Sequence, residues 1–213
     1  MSRSKSSKQW LREHFTDNYV KLAQKQGYRS RAVYKLLEIQ QREHILCPGM
    51  TVVDLGAAPG SWSELAAQLI TTSGRVIAVD ILPMQPIDNV KFIHGDFTTE
   101  EILFKLVGAK RQSSARYIDV VLSDMAPNMS GIMTVDQTKA IYLAELAWDF
   151  AVQYLKVGGH LVMKIFQGSG TDELIRAIRP YFNVVKFLKP AASRSRSREF
   201  YLLAKQFKLI QKK

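Results

Sequence analysis

The sequence predicts an α/β fold in which a doubly wound, mostly parallel sheet of seven strands carries helices on both faces. Short apolar segments rich in β-branched residues alternate with longer segments of helical periodicity. The strand segments are almost continuously apolar, which is typical of strands buried on both faces of a parallel sheet. The last two strand segments are joined by a loop instead of a helix, so we expect the final strand to run antiparallel at or near a sheet edge.

The elements follow one another in a regular order along the chain. An amphipathic helix is expected at 30–44, and the turn residues Pro48 and Gly49 follow it. The strand candidates are 51–55, 75–81, 90–94, 118–122, 160–166, 183–188 and 200–205. The helix candidates between them are 63–70, 99–107, 138–155 and 171–178. Gly158 and Gly159 provide the stop signal of the longest helix.

Length and composition favour one domain and exclude several classes of protein. With 213 residues, of which 46% are hydrophobic, the chain can bury one sizeable core. It contains no apolar run of the roughly 18 to 20 residues that a membrane-spanning helix needs, and no signal-peptide pattern. We therefore expect a cytoplasmic monomer that requires no membrane. Its predicted parts are a basic, partly mobile arm at 1–29, a single domain at 30–207 and a basic tail at 208–213.

The net charge of +11 is distributed unevenly. Residues 1–35 carry a net charge of +7 and residues 176–213 carry +10, so residues 36–175 carry −6. If the two basic ends come together in the fold, they form a positive face that attracts a polyanion, of which nucleic acid is the commonest. The alternative is that both ends are solvated tails that serve solubility. The single Cys47 and four dispersed histidines complete no ligand cluster, so no metal is expected.

A glycine-rich turn follows the first strand candidate. Asp54, Gly56 and Gly60 lie where a doubly wound sheet binds its ligand, and small residues there let the ligand approach the backbone. The turn lacks the G-x-G-x-x-G fingerprint of dinucleotide sites and the G-K-[ST] of a Walker loop. The carboxylate of Asp54 would repel a pyrophosphate, and it suits a ligand that carries an ammonium or a sulfonium group.

Two further carboxylates lie at the ends of the next two strand candidates. Asp80 can accept hydrogen bonds from the hydroxyl groups of a ribose, and Asp96 can accept one from an exocyclic adenine amine. Together with the glycine turn they describe a pocket for an adenosine joined to a cationic amino acid, which is S-adenosylmethionine. The alternative interpretation is that both are loop carboxylates that cap the following element.

Four sequence motifs resemble those of one enzyme family. They are DLGAAPGSW at 54–62, SDMAPNMSG at 123–131, VMKIFQG at 162–168 and KPAASRSRSREFY at 189–201. In order and spacing they resemble the FtsJ or RlmE family of ribosomal RNA 2′-O-ribose methyltransferases, and the similarity extends over residues 10–205. The resemblance implies a Rossmann-like methyltransferase fold with S-adenosylmethionine as methyl donor and no metal. It also implies that the acceptor is a uridine ribose of large-subunit ribosomal RNA, on the assembled subunit.

The resemblance further implies which residues form the site. The family's catalytic tetrad of two lysines and two acids corresponds to Lys35, Asp124, Lys164 and Glu199. The cofactor contacts that it implies are Gly60, Trp62, Asp80, Asp96 and Asp124. One position departs from the family, because Ser61 stands where most members have a second glycine. We expect only a small change of loop geometry there, provided that residue 61 needs no positive φ.

The tetrad suits methyl transfer to a ribose hydroxyl. A 2′-hydroxyl is a weak, protonated nucleophile that must be aligned with the methyl carbon and the sulfur. In one version of the mechanism a neutral Lys164 removes the proton, and in the other a charged Lys164 orients the oxygen and stabilises its developing negative charge. Asp124 and Glu199 would position the lysines, and Lys35 would hold the ribose or a phosphate. Without the resemblance, Lys35 would be interpreted as a solvated lysine and Lys164 as half of a structural ion pair.

Arginines provide candidate contacts to RNA phosphates. They lie before the first helix and in the loop before the last strand, and comprise Arg29, Arg31, Arg194, Arg196 and Arg198. Because Arg198 directly precedes Glu199, we expect this loop to bring the substrate ribose to the tetrad. Tyr28 and Tyr201 could stack on a splayed base, although packing within the fold is the commoner role of such residues.

Alternatives to this function remain open at the level of sequence. A tRNA substrate in place of ribosomal RNA would use the same tetrad. A non-catalytic ribosome-assembly factor would use the fold only to bind RNA. A dehydrogenase would need the dinucleotide fingerprint that the chain lacks.

Overall fold

The computed structural model describes residues 17–108, 116–194 and 196–210 of the chain. Within these ranges the α-helices are α1 (Asn18–Lys25), α2 (Val33–Glu43), α3 (Ser61–Ile70), α4 (Glu100–Val107), α5 (Met133–Tyr154) and α6 (Thr171–Ile178). The strands are β1 (Thr51–Leu55), β2 (Arg75–Asp80), β3 (Val90–His94), β4 (Ile118–Ser123), β5 (Leu155–Phe166), β6 (Phe182–Leu188) and β7 (Glu199–Phe207). A short 3-10 helix at Arg179–Tyr181 joins α6 to β6.

The strands form one seven-stranded sheet in the order β3-β2-β1-β4-β5-β7-β6. The five strands from β3 to β5 are parallel, and β7 is antiparallel to both of its neighbours. This confirms the predicted α/β class, with a mostly parallel sheet and an antiparallel final strand. β7 lies one position inside the edge, because the mostly exposed strand β6 occupies the edge itself.

Successive strand residues point to opposite faces of the sheet and build two separate cores. Val52 packs with residues of α2 and α3, whereas the next residue, Val53, packs with residues of α4, α5 and α6. The same alternation holds for Val120 and Val121 of β4. Helices therefore cover both faces, as the continuously apolar strands predicted.

The two largest differences from the predicted boundaries are at the start of the longest helix and at the start of the strand after it. α5 begins at Met133 instead of 138, and β5 begins at Leu155 instead of 160. Met133 and Val135 are exposed, so the first turn of α5 has no apolar periodicity that sequence analysis could detect. In β5 the apolar pattern is interrupted around Gly158, which has a φ of 84°.

The second half of the predicted arm at 1–29 contains folded structure. α1 follows Asp17, whose side chain accepts a hydrogen bond of 2.9 Å from the backbone N–H of Tyr19 and so caps the helix. Val20 and Ala23 of this helix are buried. The first part of the arm, residues 1–16, and the last tail residues, 211–213, lie outside the described residues. None of the described helices is long and apolar enough to cross a membrane.

Candidate active site

The carboxyl ends of the central strands meet where the strand order reverses, between β1 and β4. Leu55 at the end of β1 is paired with Val79 of β2 and with Ser123 of β4. The residues that follow these three in the chain are Gly56, Asp80 and Asp124. The register therefore brings the glycine turn and two acids side by side, at the crevice where open α/β sheets bind ligands.

Backbone geometry accounts for the glycines of the turn. Gly56 has a φ of 73° and Gly60 a φ of 105°, values that favour glycine. A Cβ at Gly56 would lie 2.3 Å from Cγ of Met125, so a side chain there would displace this methionine. Ser61, in contrast, is the first residue of α3, and its hydroxyl lies 2.7 Å from that of Ser30. The serine at position 61 therefore sits in a helical backbone and needs no positive φ.

Asp54 is a buried acid directly before the turn. Its Oδ2 accepts a hydrogen bond of 2.6 Å from the hydroxyl of Ser63, whereas its Oδ1 is buried without a partner among the described residues. Burial, with smaller contributions from Asp124 and Asp80, raises the pKa of Asp54 to about 7 against the opposing hydrogen bond from Ser63. A buried carboxylate oxygen without a partner fits a cationic ligand that binds beside it.

Asp80 ends β2 and Asp96 lies shortly after β3. Asp80 accepts hydrogen bonds from the backbone N–H groups of Ala58 and Leu82, each at 2.8 Å. Asp96 accepts from the N–H and the hydroxyl of Thr98 at 2.9 and 2.7 Å. Both carboxylates therefore cap neighbouring backbone. Each can still accept further hydrogen bonds, because a carboxylate offers about four acceptor positions. Over the described ranges, no group of three or more His, Cys, Asp or Glu residues is placed to hold a metal ion.

The four residues of the predicted tetrad come together as two ion pairs. Lys164 Nζ lies 2.7 Å from Oδ1 of Asp124 and donates to the backbone carbonyl of the same residue at 2.9 Å. Lys35 Nζ lies 2.7 Å from Oε1 of Glu199. Tyr201 joins the pairs, because its hydroxyl donates to Asp124 Oδ1 at 2.5 Å and its ring centroid lies 5.5 Å from Lys35 Nζ. One cluster therefore contains all four residues.

The strand register explains why these residues meet. β4 and β5 are paired so that Asp124 lies beside Lys164, and Lys164 is paired with Tyr201 of β7. Glu199 is two residues from Tyr201 on the same strand, so both side chains point to one face. For Tyr201 the sequence predicted only base stacking or packing within the fold. Its spacing of two from Glu199 was the available signal that it belongs to the site.

The two acids of the tetrad are held in their charged form. Burial raises the pKa of Asp124, but the ammonium groups of Lys164 and Lys35 outweigh burial and leave the pKa below its ordinary value. Burial is likewise outweighed at Glu199, whose pKa is lowered mainly by Lys35. Burial and the neighbouring carboxylates raise the pKa of Tyr201 well above its ordinary value, so its hydroxyl stays protonated and donates.

The side chain of Trp62 is engaged within the protein. Its indole is 2% exposed and donates from Nε1 to the backbone carbonyl of Ala32 at 2.8 Å. The ring packs against Tyr201, with centroids 5.6 Å apart. Since Ala32 directly precedes α2, the structure assigns the Trp62 side chain to holding the helix that carries Lys35.

A cavity of about 700 Å³ opens beside the Lys35–Glu199 pair. Three of the predicted RNA contacts, Arg194, Arg196 and Arg198, line it from the loop before β7. The side chains of Arg196 and Arg198 are exposed. The arginine loop is thus adjacent to the tetrad, as its position directly before Glu199 predicted.

The other two predicted RNA contacts are engaged within the protein. The guanidinium of Arg29 donates to the backbone carbonyls of Pro59, Gln85 and Pro86 at 3.3, 3.0 and 2.7 Å. Arg29 therefore joins the glycine turn to the loop after β2 and is turned away from the cavity.

Arg31 lines the cavity but is held by neighbouring residues. It pairs with Asp17 and donates to the backbone carbonyl of Ala192. The Nε of Arg194 lies 3.8 Å from the same Asp17 carboxylate. Arg31 and Arg194, one from each basic segment, therefore meet at this cavity, as a single positive face requires.

The strand order, the glycine turn at the switch point and the cluster of lysines and acids define the class of protein as a Rossmann-like methyltransferase with a seven-stranded sheet. Residues 28–207 match the FtsJ-like methyltransferase family, and the chain belongs to this family.

Individual relatives agree with this assignment. A ribosomal RNA large subunit methyltransferase E of Legionella pneumophila (strain Corby) is 56% identical over 209 residues, which cover 98% of this chain and 100% of the relative. The protein of the same name from Pseudomonas paraeruginosa is 53% identical over 208 residues, 98% of this chain and 99% of the relative. A crystal structure described as a ribosomal RNA methyltransferase of Plasmodium falciparum has a TM-score of 0.72 and 31% identity, covering 84% of this chain and 98% of its own. The family resemblance predicted from the four motifs is confirmed.

Proposed function

We propose that the protein transfers a methyl group from S-adenosylmethionine to the 2′-hydroxyl of a uridine ribose in large-subunit ribosomal RNA, on the assembled subunit. The observation that carries the proposal is the Lys164–Asp124 pair beside the glycine turn, with arginines at the mouth of the same site. The printed names of the relatives support the choice of large-subunit ribosomal RNA. In this proposal the enzyme is a cytoplasmic monomer that uses no metal.

The residues around the turn fit the proposed methyl donor. The unpartnered Oδ1 of Asp54 suits its cationic part, and the carboxylates of Asp80 and Asp96 suit its ribose and adenine. Gly56 and Gly60 allow the turn its positive φ angles beside these carboxylates. When bound, S-adenosylmethionine supplies an electrophilic methyl group on sulfur, so that an O–C bond forms as the C–S bond breaks.

Lys164 is arranged to hold the acceptor oxygen. An ammonium has three N–H donors, and two of those of Lys164 reach the Oδ1 and the carbonyl of Asp124. The third is left for the 2′-hydroxyl oxygen. Because the partner carboxylate is charged, this geometry favours the version in which Lys164 stays charged, orients the oxygen and stabilises its developing negative charge. The hydroxyl proton then passes to water as the O–C bond forms.

Lys35 lies on the side of the cluster that faces the cavity, where it can bind the substrate nucleotide. Its ammonium is paired with Glu199 and lines the cavity, so it can hold the ribose or a phosphate of the same nucleotide. Glu199 keeps this ammonium in place, and Tyr201 of β7 holds Asp124 through its hydroxyl hydrogen bond. Each reacting group is thereby oriented before the substrate arrives.

The direct test is incubation of the enzyme and labelled S-adenosylmethionine with undermodified large ribosomal subunits, followed by mapping of the methylated ribose. We expect label at one uridine 2′-oxygen. The variant Lys164→Met should lower the transfer rate roughly 10²- to 10⁴-fold, because it removes the group that stabilises the reacting oxygen, while RNA affinity is retained. Lys105→Met, which changes an exposed lysine on α4, is the matched control and should transfer at the wild-type rate.

The same experiment separates the alternatives. Label found only in added tRNA would refute the ribosomal substrate while leaving the chemistry intact. Absence of label from any ribosomal particle, with RNA binding preserved, would favour a binding factor without catalysis.

A further inference from the structure

The cavity beside the tetrad has two chemically different walls. The arginine loop and Arg31 supply positive charge. Apolar side chains, among them Met129, Met133 and Phe166, form the apolar wall. Phosphate binding explains the arginines, but it gives no reason for the apolar wall.

The methionines of this wall are unusually open to solvent. Met129, in the short loop between β4 and α5, is 66% exposed, and Met133, the first residue of α5, is 63% exposed. Exposed apolar side chains that cluster at the mouth of a cavity mark a binding surface. Methionine adapts its shape and makes favourable contacts between its sulfur and aromatic rings, so this wall suits a flat aromatic ligand.

The loop that carries the methionines is fixed before any ligand binds. The carboxylate of Asp136 accepts hydrogen bonds from the N–H and the hydroxyl of Ser130, both at 2.7 Å, and from the N–H of Gly131 at 3.0 Å. Met129 and Met133 therefore lie on either side of a turn that these hydrogen bonds hold in one conformation. A preformed apolar wall loses less entropy on binding than a mobile one.

The positive and apolar walls touch at the cavity rim. Nη1 of Arg198 lies 3.1 Å from the sulfur of Met133. A ligand at this rim thus meets a guanidinium and a thioether together, which matches a nucleotide, whose phosphate and base are carried by the same ribose. The cavity volume of about 700 Å³ is of the size that holds small ligands, ~300–1,000 Å³.

We infer that this cavity binds the unstacked base of the nucleotide whose ribose is methylated, with the base against Met129 and Met133 and its phosphate on the arginine loop. The inference rests on the proposed function, because Lys35 and Glu199 line the same cavity and would bring that ribose to the reacting centre. A base held in this way is not paired with another base. The substrate nucleotide must therefore be single-stranded or flipped out of its helix.

Photo-crosslinking on undermodified large subunits tests the position of the base. With benzoylphenylalanine in place of Met133, we expect a crosslink to the nucleotide at which methylation is mapped. The matched control is the same substitution of Ile132, which is 59% exposed in the same loop but is not among the residues that line the cavity. A crosslink from position 133 to a ribosomal protein would overturn the inference and identify a protein-docking surface instead. An equal RNA crosslink from both positions would also overturn it.

Kinetics on the same subunits provide a second measurement. Met129→Ser with Met133→Ser should lower kcat/KM for the subunit roughly 3- to 150-fold, because each lost contact between a methionine sulfur and an aromatic ring costs about 0.3–1.5 kcal/mol. The affinity of the double variant for S-adenosylmethionine should stay at the wild-type value. The conservative variant Met133→Leu should keep most of the wild-type kcat/KM. An unchanged kcat/KM in the double variant would overturn the inference. If the wild type transfers no methyl group, but the variant with benzoylphenylalanine at position 133 still crosslinks to RNA alone, the cavity assignment stands and the proposed function fails.

Discussion

At the scale of single residues, the fold gives the same residue type different tasks. Arg29 and Arg196 both belong to basic segments of the chain. The guanidinium of Arg29 is bonded to three backbone carbonyls, whereas the side chain of Arg196 is exposed at the cavity. A planar guanidinium with five donors can bridge several carbonyls at once, which the ammonium of a lysine does less well.

Replacing Arg29 by Met should weaken binding of S-adenosylmethionine roughly 5- to 30-fold. Loss of these hydrogen bonds costs about 1–2 kcal/mol and releases the link between the glycine turn and the loop after β2. Equilibrium dialysis with labelled S-adenosylmethionine measures the effect. Arg196→Met is the matched control, which should leave this affinity unchanged and weaken RNA binding. If both variants lost the same amount of RNA affinity, Arg29 would be a phosphate contact, as the sequence predicted.

Asp54 gives the stability of the protein a specific pH dependence. Its folded-state pKa of about 7 exceeds the ~3.9 expected in the unfolded chain. Between about pH 4 and pH 7 the native state holds a proton that the unfolded state has lost, so the contribution of Asp54 to the free energy of unfolding falls as pH rises through this window.

The variant Asp54→Asn removes this contribution. Relative to the variant, the wild type should lose on the order of a few kcal/mol of unfolding free energy between pH 4.5 and pH 7.5. Urea unfolding of both proteins at several pH values measures the difference, and the titration of other groups, such as His160, cancels in it. A difference that stays constant with pH would show that Asp54 is charged throughout.

At the scale of elements, one helix positions another. Trp62 of α3 holds the backbone of Ala32, and Lys35 lies in the first turn of α2 that follows. The placement of this lysine beside Glu199 thus depends on a contact between two helices. The sequence pattern predicted both helices, because each buries an apolar stripe, but a contact between them lies beyond any local pattern.

Trp62→Phe should destabilise the protein by about 1–3 kcal/mol, because the carbonyl of Ala32 loses its donor in a buried place. The methyl transfer rate should fall as well, since the start of α2 is released. Thermal unfolding and the transfer assay measure the two effects. Trp148→Phe is the matched control: this buried tryptophan of α5 packs against Tyr181 in the other core, so its loss should lower stability alone. Equal rates in the two variants would remove Trp62 from the positioning of Lys35.

Element boundaries followed from the sequence where an apolar stripe is buried along the whole element. α6 has its predicted bounds, and its buried residues Leu174 and Ile178 have helical spacing. The first turn of α5 was missed because its side chains face solvent and the cavity. The first turn of α5, which contributes to the site, therefore has no apolar periodicity in the sequence.

At the scale of the whole molecule, the fold collects charge from both ends of the chain at one cavity. Arg31 and Arg194 are 163 positions apart in the sequence and share the carboxylate of Asp17. Concentrated positive charge beside the tetrad raises the local concentration of a polyanion and makes its binding sensitive to salt.

Replacing Arg196 and Arg198 by Ala should make RNA binding less dependent on salt. Each phosphate contact contributes about 0.7–0.9 to the slope of log affinity against log salt concentration, so the slope should fall by roughly 1.5. Filter binding of large-subunit RNA at several salt concentrations provides the slope. The matched control is Lys186→Ala, which should leave the slope unchanged. Lys186 lies on the edge strand β6 and is paired with Glu43. If the arginine variant had the same slope as the control and the wild type, the phosphate contacts would lie elsewhere.

The fold class, the strand candidates and the four residues that meet as two ion pairs could all be predicted from the amino-acid sequence. Strand and helix patterns are local properties of the chain, and Asp124, Lys164 and Glu199 lie in three of the four motifs. The sequence did not predict that Lys35 pairs with Glu199, that Tyr201 binds Asp124 or that Arg29 binds the glycine turn. These outcomes depend on strand register and on the approach of distant segments, and a side chain's partner is set by what the fold brings within about 3 Å of it.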